Sequence, residues 1–210
     1  GDKLVICNAD EGDPGAYMDR AIIESNPHQV LEGLAICAHA VGARQGVIYI
    51  RSEYPLAVRI VTRAIEQARR AGLLGKNILE TGVDFEVSVF QGSGAFVCGE
   101  ETGLIQSMEG RRGMPRHRPP YPVTRGYQGR PTVINNVKTL AYLPLILERG
   151  VGWFRSLGTE QSPGTAVFSV VGDVVHPGLV EIPMGVTLRT LIYDICGGIP
   201  RHKGFKAVQI

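Results

Sequence analysis

Continuous apolar runs and helical stripes alternate along the chain. Leu4-Val5-Ile6-Cys7 is unbroken apolar sequence, which predicts a short buried strand. From Pro27 to about Val41, the residues Val30, Leu31, Leu34, Ala35 and Ala38 recur at helical spacing, so a helix is expected there. Gly46-Val-Ile-Tyr-Ile50 predicts a second buried strand. Over Pro55 to Ala71, Leu56, Ile60, Val61, Ala64 and Ala68 fall on one side and Arg59, Arg63 and Arg70 outside, the pattern of an amphipathic helix. Asp84-Phe-Glu-Val-Ser-Val89 alternates strictly and predicts a third strand. A further helix is expected over Glu100 to Met108, directly after Gly99. Strands alternating with helices of this length argue for an α/β layer with a mainly parallel sheet.

Met114 to Pro131 is rich in proline and arginine and poor in aliphatics, which predicts a long irregular loop of the kind that is usually functional. Asn135-Asn136-Val-Lys-Thr139-Leu then enters a helix reaching about Glu148. Val167 to Val171 and Leu179 to Ile182 look like hairpin strands with His176-Pro-Gly178 as the turn. Thr187 to Ile195 reads as an amphipathic helix ending at Gly197-Gly198, where glycine can take the left-handed cap. The expected organisation is an α/β domain over 1–160 and a small β-β-α domain over 161–210. Both ends read as strands cut close to an edge, so a piece of a longer protein is expected.

Composition narrows the class. The 210 residues carry Lys+Arg 22 against Asp+Glu 20, so no basic field for nucleic acid is implied. Hydrophobic residues at 44% and charged residues at 20% exclude general disorder. No apolar run reaches the ~18 residues of a membrane span, and no secretory leader is visible, so direct membrane insertion is not expected. Cys7, Cys37, Cys98 and Cys196 form no CxxC and are expected as free buried thiols in a reducing cytoplasm. His28, His39, His117, His176 and His202 show no metal spacing, so no metal site is expected. Gly72-Leu-Leu-Gly75-Lys76-Asn77 has glycines too close for a phosphate loop and reads as a helix C-cap and turn.

Three segments carry candidate chemistry. In Asn8-Ala-Asp10-Glu11-Gly-Asp13-Pro-Gly15, carboxylates crowd the loop that leaves the first strand. Loops at the carboxyl ends of parallel strands are where open α/β sheets bind ligands, and carboxylates there accept from ribose or ribityl hydroxyls. In Gly92-Ser-Gly-Ala-Phe-Val-Cys-Gly99-Glu100-Glu101-Thr102, a strand leads in and a helix leads out, so backbone N–H groups could meet a ligand. Two acids in a helix's first turn explain the same segment without a ligand. Asn135-Asn136 with Thr139 are good helix caps, and their amide and hydroxyl groups could equally bind phosphate. The chain has neither GxGxxG nor GK[ST], which weakens a Rossmann dehydrogenase and excludes a P-loop.

Together these segments resemble one family. Cys7-Asn-Ala-Asp-Glu-Gly-Asp-Pro-Gly15, Gly94-Ala-Phe-Val-Cys-Gly-Glu-Glu-Thr102 and Ile134-Asn-Asn-Val-Lys-Thr-Leu-Ala141 are similar to the NADH-binding flavoprotein subunit of respiratory complex I. They equally resemble its relatives in NAD(P)-reducing or electron-bifurcating hydrogenases and formate dehydrogenases. Gly12-Asp13-Pro14-Gly15 with Met18-Asp19-Arg20 looks closer to the hydrogenase-linked relatives. The resemblance implies a Rossmann-like FMN-binding domain followed by a β-grasp domain, here incomplete. It implies an enzyme that takes hydride from NADH onto FMN and passes electrons singly to iron–sulfur clusters, with the chemistry on the flavin.

By position, the resemblance puts Asn8, Asp10, Glu11, Gly99, Glu100, Asn135, Asn136 and Thr139 around FMN, and Asp13, Glu101, Arg118 and Tyr121 beside NAD(H). It further implies a 4Fe-4S cluster in the full-length protein, whose ligands are not in this chain. A thioredoxin-like 2Fe-2S subunit and a larger iron–sulfur subunit are the implied partners. The implied location is the cytoplasm, or the cytoplasmic membrane face through a complex. The competing expectation is a non-catalytic docking module whose tail binds a partner.

Overall fold

The computed structural model describes residues 2–210 and, for His202, the backbone alone, so the reading of its side chain lies outside the described residues. The chain divides into two compact units, one of Asp19–Leu145 with the segment up to Asp13, the other of Pro14–Met18 with Ile146–Ile210.

The first unit is built on a five-stranded sheet. Its strands are β1 (Leu4–Ala9), β2 (Gln45–Arg51), β3 (Gly75–Ile78), β4 (Val83–Gly92) and β5 (Thr132–Asn136), in the order β3-β4-β2-β1-β5. β4, β2, β1 and β5 are parallel, while β3 closes one edge antiparallel to β4. The wholly apolar start of β1 follows from its central place, since a parallel strand covered on both faces must be hydrophobic on both. β4 alternates because Phe85 and Val87 face the core while Asp84, Glu86 and Ser88 face solvent.

Helices cover both faces. α1 (Met18–Ser25), α2 (Pro27–Val41), α3 (Pro55–Arg70) and α6 (Val137–Arg149) pack residues such as Ile23, Leu34, Val61 and Leu140 onto the side of Val5, Cys7, Ile48 and Ile50. α4 (Glu101–Met108) covers the other face, where Leu104 and Met108 meet Leu4, Ile6 and Tyr49. α2 starts at Pro27 after Asn26, whose side chain accepts from Gln29 N, and ends at left-handed Gly42.

Several expectations are corrected. The helix expected to begin at Asn135 begins at Val137, because Asn135 and Asn136 end β5, paired in register with Cys7 and Asn8. The segment 114–131 is not wholly irregular, since it contains α5 (Pro122–Arg125) and a 3₁₀ turn at Tyr127–Gly129. Left-handed Gly72 turns the chain just after the Ala71 cap of α3, but Gly75-Lys-Asn77 continues into β3 rather than ending in the turn. In α3, Leu56 is exposed and Ala57 takes the buried position. Of the four thiols, Cys37 is only half-buried.

The second unit contains α7 (Val151–Ser156) and a hairpin of β6 (Thr165–Val170) and β7 (Gly178–Pro183), paired antiparallel from Thr165↔Pro183 to Val170↔Gly178. The helix expected over 187–195 is wound as a π-helix over Thr190–Ile195, with Gly197 and Gly198 left-handed after it. Ile182, Leu191 and Cys196 form its small core. Tyr17 N donates to Ser169 Oγ at 3.2 Å, tying the 14–18 segment into this unit.

Candidate functional site

The strand order reverses at β1: the chain steps through β2 and β4 on one side of β1, then crosses to β5 on the other. Ligands bind at such a switch point, outside the carboxyl ends of the strands. There β1 and β5 bring Asn8 and Asn136 into register, although the two are far apart in sequence.

Asn8 joins β1 to the turn before α4. Its Nδ2 donates to Gly99 O at 2.8 Å and its Oδ1 accepts from Asp10 N at 3.1 Å. The Asp10 carboxylate is buried, and neither oxygen has a hydrogen-bond partner among the described residues. Arg51, at the end of β2, brings Nη1 to 3.6 Å, an ion pair without a hydrogen bond, and that Nη1 is likewise unpartnered. The other guanidinium nitrogen is engaged by Gly94 O at 3.0 Å and Glu53 Oε1 at 3.2 Å. Burial lifts the Asp10 carboxyl to about 6; Arg51 pulls it down and Glu53 pushes it up.

Glu11 turns its carboxylate to the start of α1, where Oε1 accepts from Asp19 N at 3.1 Å and Oε2 from Arg20 N at 3.2 Å. Asn136 donates from Nδ2 to Asp19 Oδ2 at 2.7 Å, and its Oδ1 accepts from Lys138 N at 2.9 Å, capping α6. Asn135 Nδ2 lies 3.7 Å from Cys37 Sγ. Thr139 is exposed on the first turn of α6.

A second cluster surrounds the start of α4. Glu100 is its N-cap, with Oε2 accepting from Thr102 N and Gly103 N, each at 2.9 Å, and from the Thr102 hydroxyl. Burial pushes the Glu100 carboxyl up, but these hydrogen bonds and the Arg118 charge outweigh it and leave it below its ordinary value. Arg118 Nη1 donates to Glu101 Oε1 at 2.6 Å, and its Nη2 lies 3.7 Å from Glu100. The helix-cap explanation of this segment is thus realised by Glu100, while Glu101 and Arg118 remain at the surface. Tyr121 and Asp13 are exposed.

Residues 1–145 match the family described as the Nuo51 FMN-binding domain. The chain belongs to that family. Among its relatives, the NADP-reducing hydrogenase protein HndC of Solidesulfovibrio fructosivorans is 53% identical over 99% of this chain. An NADH-quinone oxidoreductase subunit of Aquifex aeolicus is 49% identical, and its counterpart in Escherichia coli 47%, each over 99% of this chain. The chain spans 42% of the first, 49% of the second and 46% of the third, under half of each relative's own length. A crystal structure of an NAD+-reducing nickel–iron hydrogenase in the air-oxidised state superposes with a TM-score of 0.80 at 43% identity, over 91% of this chain and 32% of that one.

For a Nuo51-type domain, the donor set fits a flavin nucleotide. A buried carboxylate lacking hydrogen bonds asks for hydroxyl or N–H donors, which a ribityl chain and a flavin ring carry. The structure brings Asn8, Asp10, Gly99, Asn135 and Asn136 to the switch point, and Glu11 to the adjoining helix start. Sequence reasoning assigns no role to Asp19 or Arg51. A charge ending the apolar run of β2 is the available signal for Arg51. Asp19 lies in a stretch whose pattern predicts no element.

Proposed function

We propose that this chain is the FMN- and NADH-binding part of a flavoprotein subunit that oxidises NADH and feeds iron–sulfur clusters. The observation that carries the reading is the buried Asp10 carboxylate, unsatisfied at the switch point of a sheet in this family. FMN, when bound, supplies the exchange between hydride transfer and single-electron transfer. Asn8, Asp10, Asn135 and Asn136 hold it by hydrogen bonds, with Gly99 leaving room for close approach. Glu11 and Glu100 support that site through the helix starts they cap, and Thr139 adds a hydroxyl at the positive end of α6. Asp13, Glu101, Arg118 and Tyr121 orient NADH at the rim, where carboxylates accept from ribose hydroxyls.

In the full-length protein a 4Fe-4S cluster, a thioredoxin-like 2Fe-2S subunit and a larger iron–sulfur subunit would supply the electron acceptors. Residues 161–210 are the start of a β-grasp domain that follows the 1–160 flavin domain. The assembly works in the cytoplasm, peripheral to a membrane only through its partners. No helix among the described residues is long and apolar enough to cross a membrane.

The test is flavin content. In the full-length subunit, Asn136→Ala should lower FMN affinity about tenfold, the value of one good hydrogen bond, without unfolding the domain. A colourless wild-type subunit that cannot be loaded with FMN would instead favour the docking module. Loss of thermal stability with normal flavin per folded protein would return Asn136 to a capping role.

A further inference from the structure

Beneath the paired ends of β1 and β5, one carboxylate joins the two site segments. Asp19 Oδ2 accepts from Asn136 Nδ2 at 2.7 Å, while the Asp19 N–H is held by Glu11. Asn136 Oδ1 is meanwhile taken by Lys138 N. An amide bonded at both ends cannot turn over without losing both bonds, so the direction of its second N–H is fixed. Asp19 itself is buried, and its Oδ1 has no hydrogen-bond partner among the described residues.

We propose that Asp19 is a positioning residue of the flavin site, whose carboxylate sets the direction of the Asn136 amide. The proposal rests on the assignment of Asn136 to FMN made above. The geometry separates the two oxygens by task. Oδ2 accepts from Asn136 in either charge state, while a proton on Oδ1 removes the negative charge.

Every charged neighbour acts on this balance. Burial lifts the Asp19 carboxyl to about 7; Glu11, from the loop after β1, adds to the rise, and the Asn136 bond and Lys138 of α6 oppose it. Cys7 of β1 faces the same carboxylate, and burial together with that charge keeps its thiol protonated. An ionised Asp19 adds like charge near an anionic nucleotide. FMN should therefore bind more weakly as pH rises through 7. A carboxyl that only braced α1 against β5 would leave the pH profile unchanged when Asp19 is replaced by asparagine.

The experiment measures FMN affinity of the apo full-length subunit by flavin fluorescence from pH 6 to pH 8. Asp19→Ala should weaken binding about tenfold, as Asn136→Ala does, and the double variant should be no weaker than either. Asp19→Asn keeps a carbonyl for Asn136 to donate to. It should bind like wild type at pH 6 and fall about tenfold less than wild type towards pH 8, the value of one charge in a partly dry site, with the remaining fall due to Asp10 and the FMN phosphate.

Wild-type affinity in Asp19→Ala beside weak binding in Asn136→Ala would overturn the proposal and leave the flavin assignment standing. Wild-type affinity in Asn136→Ala would remove both. Should Asp19→Ala fail to fold, the pH profile of Asp19→Asn decides alone: a step equal to wild type refutes the role.

Discussion

Asp10 and Arg51 meet at 3.6 Å without completing a hydrogen bond, so each carries an unmet demand in a buried place. Leaving a buried polar group unsatisfied costs about 1–3 kcal/mol, which a ligand's donors would recover. The same burial has a pH signature. Asp10, lifted to about 6, keeps its proton in the fold at pH values where the unfolded chain has lost it. Its contribution is therefore fully present below the ordinary carboxylate range and is lost as pH climbs through about 6. Asp10→Asn in the apo protein should flatten the decline in stability between pH 5 and pH 8 by on the order of 1–2 kcal/mol, read by urea denaturation. An unchanged decline would mean that Asp10 is solvated.

At the rim, one guanidinium serves two carboxylates, Arg118 holding Glu101 at 2.6 Å and lying 3.7 Å from Glu100. These three side chains sum to one negative charge, which disfavours a 2′-phosphate beside Glu101, so NAD(H) is the expected nucleotide. A hydrogen bond to a charged group is worth about 1.5–3 kcal/mol, roughly ten- to hundredfold in affinity. Glu101→Gln in the full-length subunit should weaken NADH binding by about tenfold or more, keep FMN, and raise the NADPH:NADH ratio by freeing Arg118. Since HndC is a subunit of an NADP-reducing hydrogenase, steady-state kinetics on both nucleotides are the deciding measurement. Equal or better efficiency with NADPH in the wild type would refute the preference.

Between elements, α2 approaches α6 closely at one point. A Cβ on Gly33 would lie 1.9 Å from Leu140 O, a backbone atom that cannot swing away. Alanine gains about 1 kcal/mol over glycine in helix propensity, but overpacking of this kind costs about 1–3 kcal/mol. Gly33→Ala should therefore lower the melting temperature, and because α6 follows Asn136 directly, it should loosen flavin as well. A rise in melting temperature would show that the helices can part freely.

Elements with a clear period were legible in the sequence: β1, α2, β2, α3 and β4 each carry an apolar run, stripe or alternation. β5 was not, because Asn135 and Asn136 look like caps, and only pairing with β1 makes them strand. α1 was missed because its buried residues are few, Ile23 and the carboxylate of Asp19. The site was legible where its residues share a segment, as in Asn8, Asp10 and Glu11. The Asn136–Asp19 bond was not, since nothing local connects residues 117 positions apart.

At the level of the whole molecule, residues 1–210 span less than half of each relative's length, and on the reading proposed above they supply only part of the flavin site. Much of the affinity for a flavin phosphate comes from backbone N–H donors. Such donors are expected in the part of the relatives' length that this chain does not span. Residues 1–210 alone should therefore bind FMN poorly and show no NADH:ferricyanide activity. Sub-micromolar FMN binding by this piece would refute that.

The placement of β5 beside β1 also dictates a timetable. The wall of the site is finished only when a strand ending at Asn136 slots in against one ending at Ala9. Such distant pairings close late, because loop closure must be overcome before the contact rewards it. A chain leaving the ribosome displays its acidic loop long before that partner exists. Flavin loading is thus expected to wait until β5 has been made and has paired with β1, so a chain cut before Asn136 should bind no flavin however much is supplied.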